Sequence, residues 1–299
     1  MRTLHSSLLA LGTAAALALG VTACNNDRGT APATPLLSQV QAESLAKTVV
    51  ADVAGEISTA TMDGSSGAGM APSNASAPAG SSAATQCLPK ESPTPVADAD
   101  KDGVPDSVRF DYSGCVISYP LAIDSLSGTI DLIDPTKLTA DHAVERVFTD
   151  FKRVAVNLVS GAKLSVTENG TRMAFHDTTT LRSSETNFRT DYVYGNGGTA
   201  EHVRTWESIF TADVAGSIKP NALLPSGKWS VNGTSSWTRG QNSYSLTVTT
   251  NPALHYNASC TNAPRFDAGK ITAVVVRNSK TMTVTIEFTA CGVYTVTRS

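Results

Sequence analysis

The chain of 299 residues contains no H-E-x-x-H, no G-x-S-x-G and no phosphate-cradling glycine loop. The spacings through which metalloproteases, α/β-hydrolases and nucleotide-binding enzymes present their chemistry are therefore missing. It has no C-x-x-C and no closely spaced Cys/His pair, which excludes the usual zinc arrangements. No basic block is present. The balance of 23 basic against 26 acidic residues is mildly acidic, so nucleic acid is not an expected partner. A long hydrophobic run is also lacking, because the most apolar stretch, residues 8 to 19, is too short to span a bilayer comfortably.

That short run has its own meaning. Arg2 and His5 give a weakly basic start, Leu and Ala follow from Leu8 to Leu19, and Val21-Thr22-Ala23-Cys24 closes the segment. The arrangement reads as a signal-peptide core over residues 1 to 23. The last four residues resemble the lipobox of bacterial lipoproteins. The resemblance implies cleavage before Cys24, a diacylglyceryl thioether on its sulfur and a third acyl chain on its new amino group. One acyl chain anchors only marginally, and several make a stable attachment. Asn25 rather than Asp follows the cysteine, which by the sorting pattern of that family implies the outer membrane. The membrane is thus an expected partner through acylated Cys24, with the mature chain periplasmic or surface-exposed.

An oxidising compartment changes the reading of the other cysteines. Cys87, Cys115, Cys260 and Cys291 form an even set, for which disulfides are the default. Of the three possible connectivities, sequence proximity favours Cys87 with Cys115 and Cys260 with Cys291. Each bridge would close a loop of about 30 residues, worth roughly 3 to 4 kcal/mol in the chain-entropy model.

Composition divides the mature chain. Residues 24 to 35 are polar and Pro-rich, a lipidated tether. Across residues 36 to 60, Leu37, Val40, Ala46, Val49, Val50, Val53 and Ile57 recur at three- and four-residue steps, with Glu43, Lys47 and Asp52 between them. This pattern predicts an amphipathic helix. It carries little Lys or Arg, so its apolar face is expected to pack on the later domain rather than on a membrane surface. Residues 61 to 86 are almost wholly Gly, Ala, Ser and Pro and read as a linker.

Residues 87 to 299 read as one antiparallel β-domain. Met282, Val284, Ile286 and Phe288 alternate with Thr281, Thr283, Thr285 and Glu287, the pattern of a strand with one buried and one wet face. Tyr244, Leu246 and Val248 repeat it, as do Val154, Val156 and Leu158. Asn169-Gly170 predicts a type I′ hairpin, with Val166 opposite Met173 and Leu164 opposite Phe175. Asn232-Gly233 predicts a second hairpin, whose two- or three-residue loop decides whether Trp229 and Trp237 share a face. From Asp134 to Phe151, Val144, Val147, Phe148 and Phe151 fit either a helical turn or a loop entering the next strand. The expected fold is mainly β, an antiparallel meander, roll or sandwich with the N-terminal helix packed on it.

One constellation could carry a ligand. In Asp98-Ala99-Asp100-Lys101-Asp102-Gly103-Val104-Pro105-Asp106, carboxylates at alternate positions can converge on one hard cation, and Gly103 permits the bend between them. The nine residues resemble the calcium loops of thrombospondin type 3 and dockerin-like repeats. That resemblance implies a structural Ca2+ bound by Asp98, Asp100 and Asp102 through side chains, by Val104 through its carbonyl, and by Asp106 directly or through water. The twelfth loop position, where an EF-hand has Glu, is Arg109. A further ligand must then come from elsewhere, or the site is weak, at about 10⁻⁴ to 10⁻³ M.

His142, His176, His202 and His255 are scattered, and neighbours along a strand, such as His176-Asp177 and Glu201-His202, point to opposite faces. The expected role is therefore non-catalytic: binding, carrying or scaffolding an envelope ligand or protein. A concave sheet covered by one helix resembles, at fold level, the lipoprotein and lipopolysaccharide carriers of the envelope. A carrier requires an apolar groove between helix and sheet. A hydrolase requires His176, Asp177, Glu201, His202 and His255 to converge, and a structural adhesin-like module requires neither.

Overall fold

The computed structural model describes residues 36–61, 88–139, 142–219, 222–240 and 242–299. The signal segment, Cys24, the tether, the linker from residue 62 and Cys87 lie outside the described residues, as does the side chain of Ile57. Among the described residues one helix, α1 (Gln39–Thr61), precedes fourteen strands. These are β1 (Lys90–Ser92), β2 (Ser107–Asp111), β3 (Cys115–Tyr119), β4 (Ala122–Ile133), β5 (Ala143–Asn157), β6 (Lys163–His176), β7 (Thr180–Tyr194), β8 (Thr199–Ala212), β9 (Gly227–Arg239), β10 (Asn242–Thr250), β11 (Leu254–Tyr256), β12 (Phe266–Arg277), β13 (Lys280–Ala290) and β14 (Val293–Arg298). They form a single antiparallel meander in the order β1-β2-β4-β5-β6-β7-β8-β9-β10-β12-β13-β14, with β3 paired to β4 and β11 set between β9 and β12. No helix among the described residues is long and apolar enough to cross a membrane.

The helix starts where the sequence supplies a reciprocal cap. Ser38 Oγ accepts from Gln41 N at 3.3 Å, and Gln41 Oε1 accepts from Ser38 N at 2.8 Å, so two amides of the first turn are satisfied. Its buried stripe is Ala42, Leu45, Ala46, Val49, Val50, Val53 and Glu56. Val40, expected on that face, is 74% exposed. Contacts of α1 reach β6, β7, β13 and β14. Strands of a flat sheet lie about 4.8 Å apart, so β7 and β13 can touch one helix only if the sheet curls around it. The concave lining includes Trp206, Phe210, Trp229, Val231, Leu246, Val248, Ile271, Val275, Val284 and Ile286, which form one apolar cluster with the helix. Each buried Val, Leu or Phe contributes about 1.5–3 kcal/mol relative to exposure. A second cluster, built on β2 to β7, gathers Val104, Phe110, Tyr112, Ile130, Leu132, Phe148 and Phe188.

Both Asn-Gly pairs lie inside strands, which corrects the two expected hairpins. Val166 pairs with Arg153 and Tyr192 instead of Met173, and Leu164 with Ala155 and Tyr194. The glycines are needed for close approach. A Cβ on Gly170 would stand 2.9 Å from Phe188 Cα, and one on Gly233 would stand 2.2 Å from the carbonyl oxygen of Thr205. Register shifts fall side by side in β4 (Ser127/Thr129), β5 (Phe148/Phe151), β6 (Asn169/Thr171) and β7 (Glu185/Phe188). Asn169 Oδ1 accepts from Asp150 N at 2.8 Å, and Thr205 Oγ1 accepts from Asn187 N at 3.1 Å, tying the row together. A row of bulges bends each strand at the same level and increases the coil of the sheet. Trp229 and Trp237, eight apart on the unbroken strand β9, share the concave face.

Of the stretch from Asp134 to Phe151 that fitted either a helical turn or a loop entering the next strand, residues 134–139 form a turn and 143–151 belong to strand β5. Val154 and Val156 belong to its half-buried outer face, and Leu158 is exposed in the turn that follows. The Cys260–Cys291 disulfide is present, with a Cα–Cα distance of 5.5 Å. Cys115 is also disulfide-bonded.

Candidate functional site

The aspartate run lies between β1 and β2 and folds on itself through its own backbone. Asp98 Oδ1 and Oδ2 accept from Lys101 N at 2.7 Å and Gly103 N at 3.2 Å. Asp100 Oδ1 accepts from Asp102 N at 3.2 Å, Asp102 Oδ1 from Val104 N at 2.7 Å, and Asp106 Oδ1 from Ala99 N at 2.9 Å. One oxygen from each of Asp98, Asp100 and Asp102 lies within 4.8 Å of the others. Two ligands on opposite sides of a calcium ion stand about 4.6–5.2 Å apart, so these three fit one hard cation. Val104 is fully buried and fastens the loop to the second apolar cluster. Asp106 is held on Ala99 N and extends the turn; its carboxylate is not among the three that converge. The Asp100 carboxyl is pushed above its ordinary range by desolvation, then by the like charges of Asp102 and Asp134, against a backbone bond to Asp102. Asp134, on the far side of β4, is thus within electrostatic reach of the loop. Its sequence context, Asp-Pro-Thr, signals only a turn.

A second polar centre lies where α1 meets β6, β7 and β8. Glu185, 1% exposed, accepts from Arg172 Nε at 2.7 Å and from Arg204 Nη2 at 3.1 Å. Arg204 Nε also lies 2.8 Å from Glu185 Oε2, close but poorly aligned, so that contact is Coulombic. Both guanidiniums cover Phe188, at 3.9 and 5.8 Å from the ring centre, where a cation meets the negative face of the ring. Glu56 of α1 reaches the same place. Its Oε2 accepts from Ser183 Oγ at 3.3 Å, and Ser183 Oγ lies 2.6 Å from Ser208 Oγ. Burial, reinforced by Glu185 and opposed by Arg204, Arg172 and the Ser183 bond, pushes Glu56 up to about 7. Burial likewise pushes Asp52 up to about 6, with Arg204 opposing and Glu185 reinforcing. Alternation alone hid this cluster, because inward-pointing Arg and Glu look like a wet face in sequence.

The residues that a hydrolase would need end in five different settings. His202 is buried against Ser235, Nε2 to Oγ 2.7 Å, and stacks on Trp237 at 3.9 Å. Burial, then Arg204, lowers it to about 3, so it is neutral at pH 7. Glu201 pairs with Arg189 at 2.8 Å, and Asp177 accepts from Thr179 N and Thr180 N in a turn. The ring of His176 packs against His142 at 3.9 Å. His255 lies between Asp267 at 2.7 Å and Asp213 at 3.0 Å, which raise it. Near it Cys260, Asp267 and Cys291 have metal-like spacing, but both sulfurs are committed to the disulfide. On the convex face, Met173, Phe175, Arg182, Ser184 and Glu207 line an open depression of about 270 Å³, below the usual size of a small-molecule site. Comparison with family models, with curated proteins and with solved structures finds no match for this chain.

Proposed function

We propose that this protein is a lipid-anchored, non-catalytic scaffold of the bacterial cell envelope, acylated on Cys24 and directed to the outer membrane, with calcium in a structural role. The observation that carries this reading is the docking of α1. Arg298 donates to the carbonyl of Leu37, and Gln39 Nε2 donates to the carbonyl of Val296 at 3.2 Å. The helix that follows the expected anchor therefore belongs to the body of the β-domain. A tether of residues 24 to 35 reaches at most about 40 Å, which keeps that body close to the membrane surface. The side chains of α1 occupy the concave face, where an apolar cargo would have to sit. This favours presentation of the convex face and strand turns to a partner over carriage of a lipid inside.

The test has two arms in a Gram-negative host. Wild-type protein should incorporate labelled palmitate and sediment with outer membranes, whereas Cys24→Ala should do neither. Solvent extraction of purified wild-type protein should release its covalent acyl chains only after chemical cleavage. A stoichiometric free lipid in the extract would replace the scaffold reading with a carrier.

A further inference from the structure

The aspartate run does not complete a coordination shell by itself. At its twelfth position, where a chelating Glu would fall, stands Arg109, and its guanidinium is committed to Asp131 through bonds of 2.6 and 2.8 Å. A different carboxylate is available. Asp134 follows the end of β4 and is 2% exposed. Its Oδ1 accepts from Thr136 N at 2.7 Å and Thr136 Oγ1 at 3.0 Å, while its backbone N donates to Asp106 O at 3.3 Å. Its Oδ2 is buried with no hydrogen-bond donor. Asp100 Oδ2 and Asp102 Oδ2 are in the same condition, and the Asp102 side chain is 3% exposed. The His142 ring stands beside this carboxylate, with Nδ1 3.9 Å from Asp102 Oδ2.

Buried carboxylate oxygens without donors are rare in folded proteins, because ordinary packing supplies a hydrogen bond. Of the three here, two belong to the converging aspartates of the loop. The third, on Asp134, lies outside that group but on a residue whose backbone is bonded to Asp106 of the loop, and one cation drawn between them would give all three a partner. We propose that Asp134 is a ligand, together with Asp98, Asp100 and Asp102, of a single Ca2+ that ties the loop before β2 to the far end of β4. The inference rests on the calcium reading of the loop and adds to it a ligand from the turn that follows β4. Oxygen-only donors and an excess of negative charge suit Ca2+, which accepts six to eight oxygens in flexible geometry, better than Mg2+, which demands an octahedron. Calcium then acts as a clasp: it neutralises the buried charge of β4 and fixes the entry to the sheet.

The full-length chain, its Asp134→Asn variant and its Asp100→Asn variant should be melted in EDTA and in millimolar calcium, with dissociation constants from calorimetry. Asn keeps the Oδ1 contacts to Thr136, so the variant retains the local turn. Asp134→Asn should melt above wild type in EDTA, because a buried unpaired charge is gone, and should bind calcium at least tenfold more weakly. Absence of any calcium response in wild type would overturn the loop reading itself. A wild-type response that Asp100→Asn abolishes and Asp134→Asn leaves unchanged would overturn only the role of Asp134. A second measurement needs no variant: calcium should slow amide hydrogen exchange in residues 131–136 as well as in 98–106. Protection confined to 98–106 would overturn the clasp. Equal protection by magnesium at the same concentration would overturn the assignment to calcium.

Discussion

Glu56 of α1 and Ser183 of β7 meet across 127 positions of sequence, and the serine hydroxyl donates to the glutamate at 3.3 Å in the floor of the helix–sheet interface. A carboxyl there faces Glu185, Arg172, Arg204, Ser183 and Ser208, and its burial holds it near 7 instead of 4.5. The folded state therefore binds a proton that the unfolded state has released between those values. Stability from this group is fully present below about 4.5 and is lost as pH rises through about 7. Asp52 acts in the same direction but keeps more of its surface exposed and counts for less.

His202 works in the opposite direction. Lowered to about 3 from 6.5, it contributes stability that is present above about 6.5 and lost as pH falls through about 3. The two slopes cancel in part. The informative experiment is therefore a difference: Glu56→Gln should be more stable than wild type at pH 8, on the order of 2 kcal/mol, and equal to it near pH 4. Urea midpoints at both pH values measure this. A constant difference across the range would show that the helix carboxyl does not titrate with docking.

Glu185 and Asp131 both pair with arginine, in contrasting surroundings. Glu185→Ala removes the carboxylate shared by Arg172 and Arg204, 17% and 15% exposed and stacked on Phe188, and leaves Arg172 only the longer contact to Glu168 at 3.5 Å. The expected loss is about 3–5 kcal/mol. Asp131→Ala removes the partner of Arg109, whose side chain is 59% exposed, and should cost less than about 1 kcal/mol. Equilibrium unfolding of the two variants should rank them in that order, and a reversed ranking would contradict the buried network.

Two glycines should respond oppositely to one added methyl group. Gly233→Ala drives a Cβ to 2.2 Å from the Thr205 carbonyl in the next strand, and should cost about 2 kcal/mol or more through separation of β8 and β9. Gly55→Ala, in α1, meets nothing within 4 Å and should stabilise by up to about 1 kcal/mol through helix propensity. Thermal midpoints give both signs in one experiment.

The same bulges explain which parts of the fold were legible in the sequence. Where a strand is regular, as in β13, alternation of Met282, Val284, Ile286 and Phe288 identifies both its type and its buried face. In β5 a register shift between Phe148 and Phe151 places both rings inward at an odd spacing, and the pattern then imitates a helical turn. Asn169-Gly170 and Asn232-Gly233 misled for a related reason. The residues that suit a tight hairpin also suit a bulge or a close crossing, and only the neighbouring strand decides between them. The helix was legible locally, but its two acidic inward residues were not, since Arg204 and Arg172 lie far along the chain. The three converging aspartates of the loop were visible as a run. Asp134 was not, because nothing in its own surroundings records which loop it faces.

The contact between Leu37 and Arg298 spans 261 positions, and it imposes an order of events on the newborn chain. A polypeptide is made from its amino end, so α1 leaves the ribosome long before the last strand that holds it. Until β14 follows, Leu45, Val49 and Val53 have only a partial lining to cover them, and closing so long a loop adds to the delay. Docking of the helix is therefore a late step. Any factor that accompanies this chain during its synthesis must shelter an apolar stripe until the opposite end is complete.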